Sequence, residues 1–551
     1  MNFSKQIAFP VLDPPQMQSV AEIGELVCFS PNEQMISQGS RDYPFYVIKS
    51  GEVRIVELVG DVENPITTHR AGQFTGDVDM LTGRSAVISA FANGAVEAYQ
   101  LCAVRLRQLL NECPRFSDLL LDAFQARREL LPHTRFMGIR LIGKPNTHET
   151  MRMREFLYKN HVPHTFFDAN NAEGVEQLRI LGVVDKPLPI IHCNGHTEVE
   201  PTIEKIASCI GISRDIDSQL FDLVIVGAGP AGLAAAVYAS SEGVKTLVVD
   251  GVGPGGQAGS SSKIENFIGF PSGISGGDLA NRAYLQALKF GTQFTAPITV
   301  DEIYQDESGE HRLKLCTGQV ARARCVLVAT GVSYRQLDLP GCQRLEGAGV
   351  YYAATSVESR VCENSVAVVI GGGNSAGQAA MFLAQSAAQV KMVNRGADLS
   401  EGMSSYLSQR VTNHPKIALI PKSEVVQIHG DRCVEAINIR NSRTGDTTLH
   451  ACSALFIFIG ATPNTKWLPP TIKRDSNGFI LTGSALHDLS HGAELSWPLD
   501  RAPYDLETSV PGILAAGDVR SGTTKRCGFA VGDGALAVTC VHRYLNDLAL
   551  R

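Results

Sequence analysis

The sequence nowhere contains a Cys-x-x-Cys pair, and no two of its thirteen cysteines lie closer than nine positions apart. That spacing predicts reduced thiols rather than a disulfide framework, and with them a cytoplasmic protein. No apolar run approaches the roughly 20 residues of a membrane span, and the N-terminus lacks the apolar stretch of a signal peptide. The net charge of -7 at pH 7 argues against binding to nucleic acid. We predict no metal site.

With 551 residues, the chain is too long for a single core. Its pattern of short β-type and helix-type segments predicts an α/β protein with two Rossmann-like dinucleotide-binding domains. A β-roll and a small α/β unit precede them. The predicted boundaries are 1–132 for the β-roll, 135–213 for the small α/β unit, 218–338 and 463–551 for the two parts of the first dinucleotide-binding domain, and 339–462 for the second.

A first Gly-rich turn follows a short apolar strand and opens a helix-like stretch. In it, Gly227 allows the tight bend, Gly229 lets the backbone approach a pyrophosphate, and Gly232 lets helix and strand pack closely. The helix N-terminus offers free N–H groups to the phosphates. Asp250, at the end of the strand Thr246–Val249, is placed to accept hydrogen bonds from a ribose diol. Strand, spacing and acid together predict a nucleotide site.

A second Gly-rich turn predicts a site for a nicotinamide nucleotide. Arg395 is the one arginine at the end of the following strand, and Asp398 comes shortly after it. Because arginine pairs well with a 2′-phosphate, NADPH keeps a modest edge over NADH, and an altered or unused site stays open. The residues predicted to bind this nucleotide are Gly371, Gly373, Asn374, Ser375, Ala376 and Arg395.

Three further segments, Gly255–Pro271, Val326–Gly331 and Thr508–Gly534, complete a specific pattern. With them the chain resembles the low-molecular-weight thioredoxin reductases from about Leu220 to the C-terminus. The resemblance implies a homodimer that binds FAD and takes hydride from NADPH or NADH. It places FAD against Gly227, Gly229, Pro230, Ala231, Gly232, Asp250, Gly256, Gln257, Asn266, Thr330, Gly331, Gly517, Asp518, Arg526, Cys527 and Ala530.

The redox centre of that family is missing from this chain. The family places Cys-Ala-Thr-Cys-Asp just before the second nucleotide strand, and here Ala353 and Ser356 stand where the cysteines would be. A hydroxyl cannot replace a thiolate in disulfide exchange. We therefore expect electrons to pass to an unidentified acceptor, which is a quinone, oxygen, a second flavin or a partner's thiols. A regulatory flavoprotein, acting as a sensor or scaffold with no significant turnover, is the alternative.

The unit at 135–213 shows the order β-α-β-α-β-α and resembles the thioredoxin or glutaredoxin fold. Pro189 lies where that fold keeps its cis-proline. The redox cysteines of the fold would follow the first strand, but the segment Gly143–Thr150 contains none. Since thiolate chemistry then has no atom to act through, we predict a structural or docking domain.

The β-roll resembles the cyclic-nucleotide-binding domains through their phosphate-binding cassette. The cassette residues are Gly76, Asp77, Arg84 and Ser85, with Asp77 replacing the family's glutamate. Both a weak site for a cyclic nucleotide effector and a ligand-free roll remain open. Because the thioredoxin-like unit lies between roll and nucleotide domains in the sequence, we expect it to lie between them in the fold.

Overall fold

The structure is a computed structural model that describes residues 6–59, 62–131, 136–145, 147–261, 263–342, 344–352, 354, 356–400, 402–486 and 497–550. Within these ranges no helix is long and apolar enough to cross a membrane. The chain forms four units, each with its own sheet or sheets, and the fourth unit is inserted into the third.

The first unit is an antiparallel β-roll closed by helices. Its elements are α1 Pro14–Ile23, β1 Glu25–Phe29, β2 Gln34–Ile36, β3 Phe45–Ser50, β4 Glu52–Val59, β5 Val62–Arg70, α2 Asp79–Thr82, β6 Ser89–Ala92, β7 Val96–Leu101, α3 Ala103–Glu112 and α4 Pro114–Leu130. The strands form two sheets, in the orders β1-β7-β3 and β2-β6-β4-β5. Gly51, with φ +88°, makes the turn between β3 and β4.

The second unit is a four-stranded mixed sheet with three helices. Its elements are β8 Ile139–Gly143, α5 His148–Lys159, β9 His164–Asp168, α6 Ala172–Ile180, β10 Ile190–Cys193, β11 His196–Val199 and α7 Ile203–Ile210. The strand order is β11-β10-β8-β9, with β8 parallel to β9 and antiparallel to β10. The bond between Leu188 and Pro189 is cis. The sequence predicted one strand after Pro189, but the structure has the hairpin β10–β11.

One expectation about the cysteines is wrong. Cys193 and Cys209 form a disulfide, although 16 positions separate them in the sequence. The hairpin returns the chain across the sheet, so that the end of β10 comes to lie beside α7, with the two Cα atoms 6.7 Å apart. The other cysteines are free thiols in the described part of the chain.

The third unit is the first dinucleotide-binding domain, interrupted by the fourth. Its elements before the interruption are β12 Leu220–Val226, α8 Pro230–Ser241, β13 Thr246–Val249, α9 Gly276–Lys289, β14 Gln293–Thr295, β15 Val300–Gln305, β16 His311–Leu315 and β17 Val320–Val328. The strand order is β14-β13-β12-β17-β16-β15, and the first four strands run parallel. This brings the strand ends that follow Val226 and Val249 side by side.

The fourth unit holds the second Gly-rich turn. Its elements are β18 Val332–Tyr334, β19 Val350–Tyr351, α10 Ser356–Val361, β20 Val366–Ile370, α11 Asn374–Leu383, β21 Gln389–Val393, α12 Ser405–Thr412, β22 Ile417–Ile420, β23 Ser423–His429, β24 Ala436–Asn441, β25 Thr447–Ala451, β26 Ala454–Ile457 and β27 Ala461–Pro463. The chain then returns to the third unit with β28 Ile513–Ala515 and α13 Cys527–Ala549. A parallel sheet, β19-β26-β20-β21-β22, carries the turn. The pair β18–β27 joins the unit to the third, where β28 pairs with β17.

The β-roll packs directly on the first dinucleotide-binding domain. Phe116 and Leu120 of α4 share one core with Tyr284, Leu285 and Leu288 of α9. The expectation that the thioredoxin-like unit separates the two is therefore wrong. Sequence order placed that unit between them, but the apolar face of α9 is covered by the helices that close the roll.

Candidate functional site

In the first Gly-rich turn, a side chain would fit at Gly229 but not at Gly227 or Gly232. Gly227 has φ +109°, and a Cβ there would overlap the carbonyl oxygen of Ala329. A Cβ on Gly232 would overlap the carbonyl oxygen of Gly227. At Gly229 the nearest heavy atom to such a Cβ is the Cα of Gly256, 3.9 Å away. The open space therefore lies in front of Gly229, at the N-cap of α8.

That N-terminus is built to approach a ligand closely. Pro230 begins α8, at a position where its missing N–H costs nothing. The buried Ala231 packs against the last helix, because Gly517 and Gly534 bring the backbones together there. The free N–H groups of the first turn of α8 thus point toward the space before Gly229, and a phosphate fits there.

Asp250 lies beside this turn, as its position in the sequence predicted. Its Oδ2 accepts from the N–H of Ala228 at 2.7 Å, and its Oδ1 accepts from the N–H groups of Val252 and Gly253 at 2.8 Å each. The carboxylate therefore also fixes the loop that follows β13. A carboxyl group has about four lone-pair positions, so acceptor capacity remains for ribose hydroxyls.

A second group of residues extends the cradle along the sheet edge. Gly256 has φ +54°, and a Cβ there would lie 2.9 Å from the Cα of Gly229. The Gln257 side chain donates to the carbonyl of Val332. The Thr330 hydroxyl donates to the carbonyl of Asn464 at 2.9 Å, and Gly331, with φ +61°, has open space around it.

Asp518 is a half-buried carboxylate that makes no hydrogen bond with any residue the structure describes. Burial raises its pKa, and nearby Lys525 opposes that shift. Before it, Gly517 has φ +75° and donates its N–H to Asp533 Oδ2 at 3.0 Å. Asp533 in turn holds Arg520 through two contacts of 3.1 Å. A rigid turn thus presents an acceptor without a donor, which fits the polyol chain of a flavin nucleotide.

Cys527 is the first residue of α13. Burial, with the charge of Asp518, raises the pKa of its thiol to about 11. The thiol is therefore protonated at neutral pH and is no nucleophile. Of the other residues predicted here, Ala530 is buried, while Arg526 and Asn266 are exposed.

The second Gly-rich turn has the same design. Gly371, with φ +137°, would place a Cβ on the carbonyl oxygen of Phe458, and Ala376 is fully buried under the turn. Gly373 caps α11, and the exposed Ser375 follows Asn374 in its first turn. The Asn374 side chain accepts from the N–H of Ser404 at 2.8 Å.

Arg395 is not free to serve a phosphate alone. Its side chain is 77% exposed, and its Nε lies 3.6 Å from Oε2 of Glu424 on β23. Asp398, in contrast, accepts from the N–H of Ser400 at 2.7 Å and from its hydroxyl, and these bonds lower its pKa. The charge that opposes Arg395 is therefore Glu424, which sequence spacing did not single out.

Residues 221–534 match the profile of the pyridine nucleotide-disulphide oxidoreductases. The chain therefore belongs to that family. Residues 26–113 match the cyclic nucleotide-binding domain. A thioredoxin-reductase-like part thus follows a cyclic nucleotide-binding domain, which confirms two of the three resemblances drawn from the sequence.

Relatives of this oxidoreductase cover its C-terminal part. Thioredoxin reductases of Treponema pallidum and Streptomyces clavuligerus are each 33% identical to it, over 329 and 336 residues. Those stretches span 60% of this chain and 98% and 96% of the relatives. Solved thioredoxin reductases of Lactococcus lactis and T. acidophilum each give a TM-score of 0.52, at 28% and 27% identity, covering 59% and 60% of this chain and 99% and 100% of theirs.

At the position predicted for the family's redox cysteines, Ser356 begins the short helix α10, while Ala353 lies outside the described residues. Helix α5 of the thioredoxin-like unit packs beside this segment. Met151 shares a core with Tyr351 and Ala354, and His148 Nδ1 lies 3.3 Å from the carbonyl oxygen of Glu346. Helix α5 thus packs against the segment in which the sequence predicts the family's redox position.

The cyclic-nucleotide cassette faces inward, toward the other units. The Arg84 guanidinium is 4% exposed and donates to the carbonyl of Asn160 at 2.7 Å. The Ser85 N–H donates to the carbonyl of Ile210 at 3.2 Å. The carbonyl of Gly76, whose φ is +87°, accepts from Arg127 at 2.6 Å.

Asp77, the fourth cassette residue, is engaged inside the roll. Its Oδ2 lies 3.2 Å from Nη1 of Arg128, and its Oδ1 accepts from the N–H of Asp79. Burial and the charge of Asp79 raise its pKa to about 6. Sequence spacing does not single out Asn160 or Arg128 as partners of the cassette, because Asn160 follows α5 and Arg128 lies in α4, far along the chain.

Proposed function

We propose that this protein is an FAD-dependent oxidoreductase that takes hydride from NADPH or NADH and delivers electrons to an acceptor outside the chain. The Asp518 carboxylate, in the turn whose Gly517 packs on Ala231 at the start of α8, carries the proposal. Since no group that the structure describes donates to this carboxylate, its lone pairs are available to accept from the hydroxyl groups of a ligand. The ribityl hydroxyls of FAD would donate there, while the pyrophosphate would occupy the N-terminus of α8.

FAD, when bound, supplies a two-electron acceptor for the hydride of a reduced nicotinamide. The chain's own residues bind and orient the two nucleotides. The N-terminus of α8 and Asp250 would hold one nucleotide, and the N-terminus of α11 the other. Arg395 would meet a 2′-phosphate only in competition with Glu424. Because that arginine is also exposed, discrimination between NADPH and NADH should be weak.

Several observations support an acceptor other than an internal disulfide. Ser356 replaces a redox cysteine, and the two free thiols nearest in sequence to the flavin and redox motifs are protonated. Burial raises the pKa of Cys362 to about 12, as it raises that of Cys527 to about 11. The relatives are named thioredoxin reductases, but α5 covers the surface beside the redox position here. A quinone, oxygen, a second flavin or a partner's thiols therefore suit this site better.

The competing function is a regulatory flavoprotein with little turnover, controlled through the roll. It is favoured by the core that the roll shares with α9. A steady-state assay with an artificial electron acceptor separates the two functions. We expect a yellow protein that oxidises NADPH and NADH with such an acceptor. A yellow protein without turnover supports the sensor, and a colourless protein that cannot be reconstituted with FAD refutes both. A cytoplasmic location, a homodimer and a cyclic nucleotide effector stay predictions.

A further inference from the structure

The cassette of the cyclic nucleotide-binding domain meets the ends of two helices of the thioredoxin-like unit. The carbonyl of Asn160, the C-cap of α5, accepts from Nη1 of Arg84 at 2.7 Å. The carbonyl of Ile210, the last residue of α7, accepts from the N–H of Ser85 at 3.2 Å. Arg84 and Ser85 are each only 4% exposed. The predicted phosphate-binding groups are therefore occupied by two carbonyl oxygens of the same chain.

The charge of the two helix ends suits these donors. A helix leaves its last carbonyl groups without a donor inside the helix, and its C-terminus carries roughly half a negative charge. Two such ends together present roughly the single negative charge of a phosphodiester. Arg84 and Ser85 thus meet the kind of charge and the kind of acceptor that an anionic ligand would bring.

Arg41 and Gly211 strengthen the contact at α7. Arg41 of the roll donates from Nη2 to the carbonyl of Ser208, in the last turn of the helix, at 2.9 Å. Gly211 ends the helix with φ +80°, and a Cβ there would lie 3.4 Å from the backbone nitrogen of Ser85. Glycine at this C-cap therefore lets the helix end approach the cassette closely.

Little room remains beside Arg84. The cavity that it lines together with Asn160 measures about 20 Å³, which holds about one water molecule. On its other sides, the guanidinium lies 3.8 Å from Asp79 Oδ1 and 3.4 Å from the Tyr284 hydroxyl. A phosphate group would therefore reach Arg84 only if the two helix ends moved away.

We propose that the cassette is the docking site of the thioredoxin-like unit, with the ends of α5 and α7 in the place of a ligand's phosphate. A cyclic nucleotide and the thioredoxin-like unit then exclude each other from the roll. Because α5 runs from the segment of Tyr351 and Ala354 to the cassette, the roll holds in place the helix that packs on that segment. Docking of this kind does not depend on whether the protein turns over a nicotinamide.

Amide hydrogen exchange of the full-length protein tests the docking. Arg84→Gln should raise the exchange rate at the ends of α5 and α7 roughly ten- to hundredfold, because loss of the charge-assisted bond lets these ends open more often. Arg41→Gln, at an exposed side chain, should raise it roughly three- to tenfold at α7. The matched control is Arg70→Gln, whose 74% exposed side chain pairs with Glu52 elsewhere on the roll, and it should change neither helix end.

Wild-type exchange at the helix ends in both variants overturns the docking. If Arg84→Gln unfolds the roll, seen as fast exchange throughout β3, Arg41→Gln still decides, because its side chain lies outside the core. Faster exchange at α7 in that variant then supports the docking, and unchanged exchange overturns it.

Cyclic AMP tests the mutual exclusion, by calorimetry and by exchange on the wild type. We expect no saturable heat at millimolar nucleotide, because the helix ends occupy the cassette. Heat accompanied by faster exchange at both helix ends also supports the proposal, since the nucleotide would then displace them. Heat with unchanged or slower exchange there overturns it, because nucleotide and helix ends would share the roll.

Discussion

Gly229 allows the proposed pyrophosphate site to be tested with small side chains. The space in front of it is open, since the nearest heavy atom to an added Cβ lies 3.9 Å away, and its φ of -72° suits any residue. Gly229→Ala should therefore fold normally. The added methyl group would instead meet the phosphates, which need close approach to the backbone at the N-terminus of α8.

The size of the effect follows from the hydrogen bonds at stake. A bond to a charged group contributes about 1.5–3 kcal/mol, so displacing the phosphate from one N–H should weaken FAD binding roughly 10- to 150-fold. Gly229→Val, with two more methyl groups, should abolish binding. Gly232→Ala should prevent folding instead, because its Cβ would overlap the carbonyl oxygen of Gly227.

The assay is the flavin content of natively purified protein, followed by titration of the apoprotein with FAD. Gly532→Ala is the matched control, since an added Cβ there meets nothing within 4 Å and alanine suits the interior of α13. If Gly229→Val kept wild-type flavin content, the pyrophosphate would not lie at this turn. If Gly229→Ala failed to fold, the open space would be occupied by the protein itself.

Three further predictions concern electrons, nicotinamide choice and pH. Dithionite should deliver two electrons per flavin, and two extra electrons that vanish in the Cys193→Ser, Cys209→Ser double variant would reveal that disulfide as a second redox centre. Arg395→Ala should lower the preference for NADPH in kcat/KM by roughly fivefold, because the side chain is exposed, whereas Glu424→Gln should raise it, and equal effects on both nucleotides would remove Arg395 from this role. The pKa of Asp77 is raised to about 6 in the folded protein, so protonation favours folding, and this stabilisation is lost as pH rises through 6. Asp77→Asn should therefore raise Tm relative to wild type at pH 7, with an advantage that shrinks at pH 5 and disappears below the ordinary carboxyl pKa of 3.8, and a difference independent of pH would contradict the assignment.

The two Gly-rich turns were predictable because their geometry is local. A tight bend, a close approach and a buried helix start each require glycine or alanine at one position, and Gly227, Gly232 and Ala376 meet those requirements. The strand Thr246–Val249 was predicted with the bounds that it has, since four β-type residues end at an acid. Local steric requirements of this kind can be predicted from the residue types in the sequence.

Contacts that form only in the assembled fold could not be predicted in this way. The neighbours of Arg84 are Asn160 and Tyr284, which follow it by 76 and 200 positions. Glu424 opposes Arg395 from a different strand. The pairing of Cys193 with Cys209 needed the unpredicted hairpin at β11. No periodicity or spacing relates such residues, because only the assembled fold brings them together.

Because the roll shares a core with α9, the roll and the first dinucleotide-binding domain are not independent units. A chain trimmed to the part that its relatives match would leave Ala280, Tyr284, Leu285 and Leu288 without the helices that cover them. Heat or denaturant should accordingly melt the roll and the first dinucleotide-binding domain in a single cooperative step. A cavity made by Phe116→Ala, deep in the roll, would then also weaken nucleotide binding in the neighbouring domain.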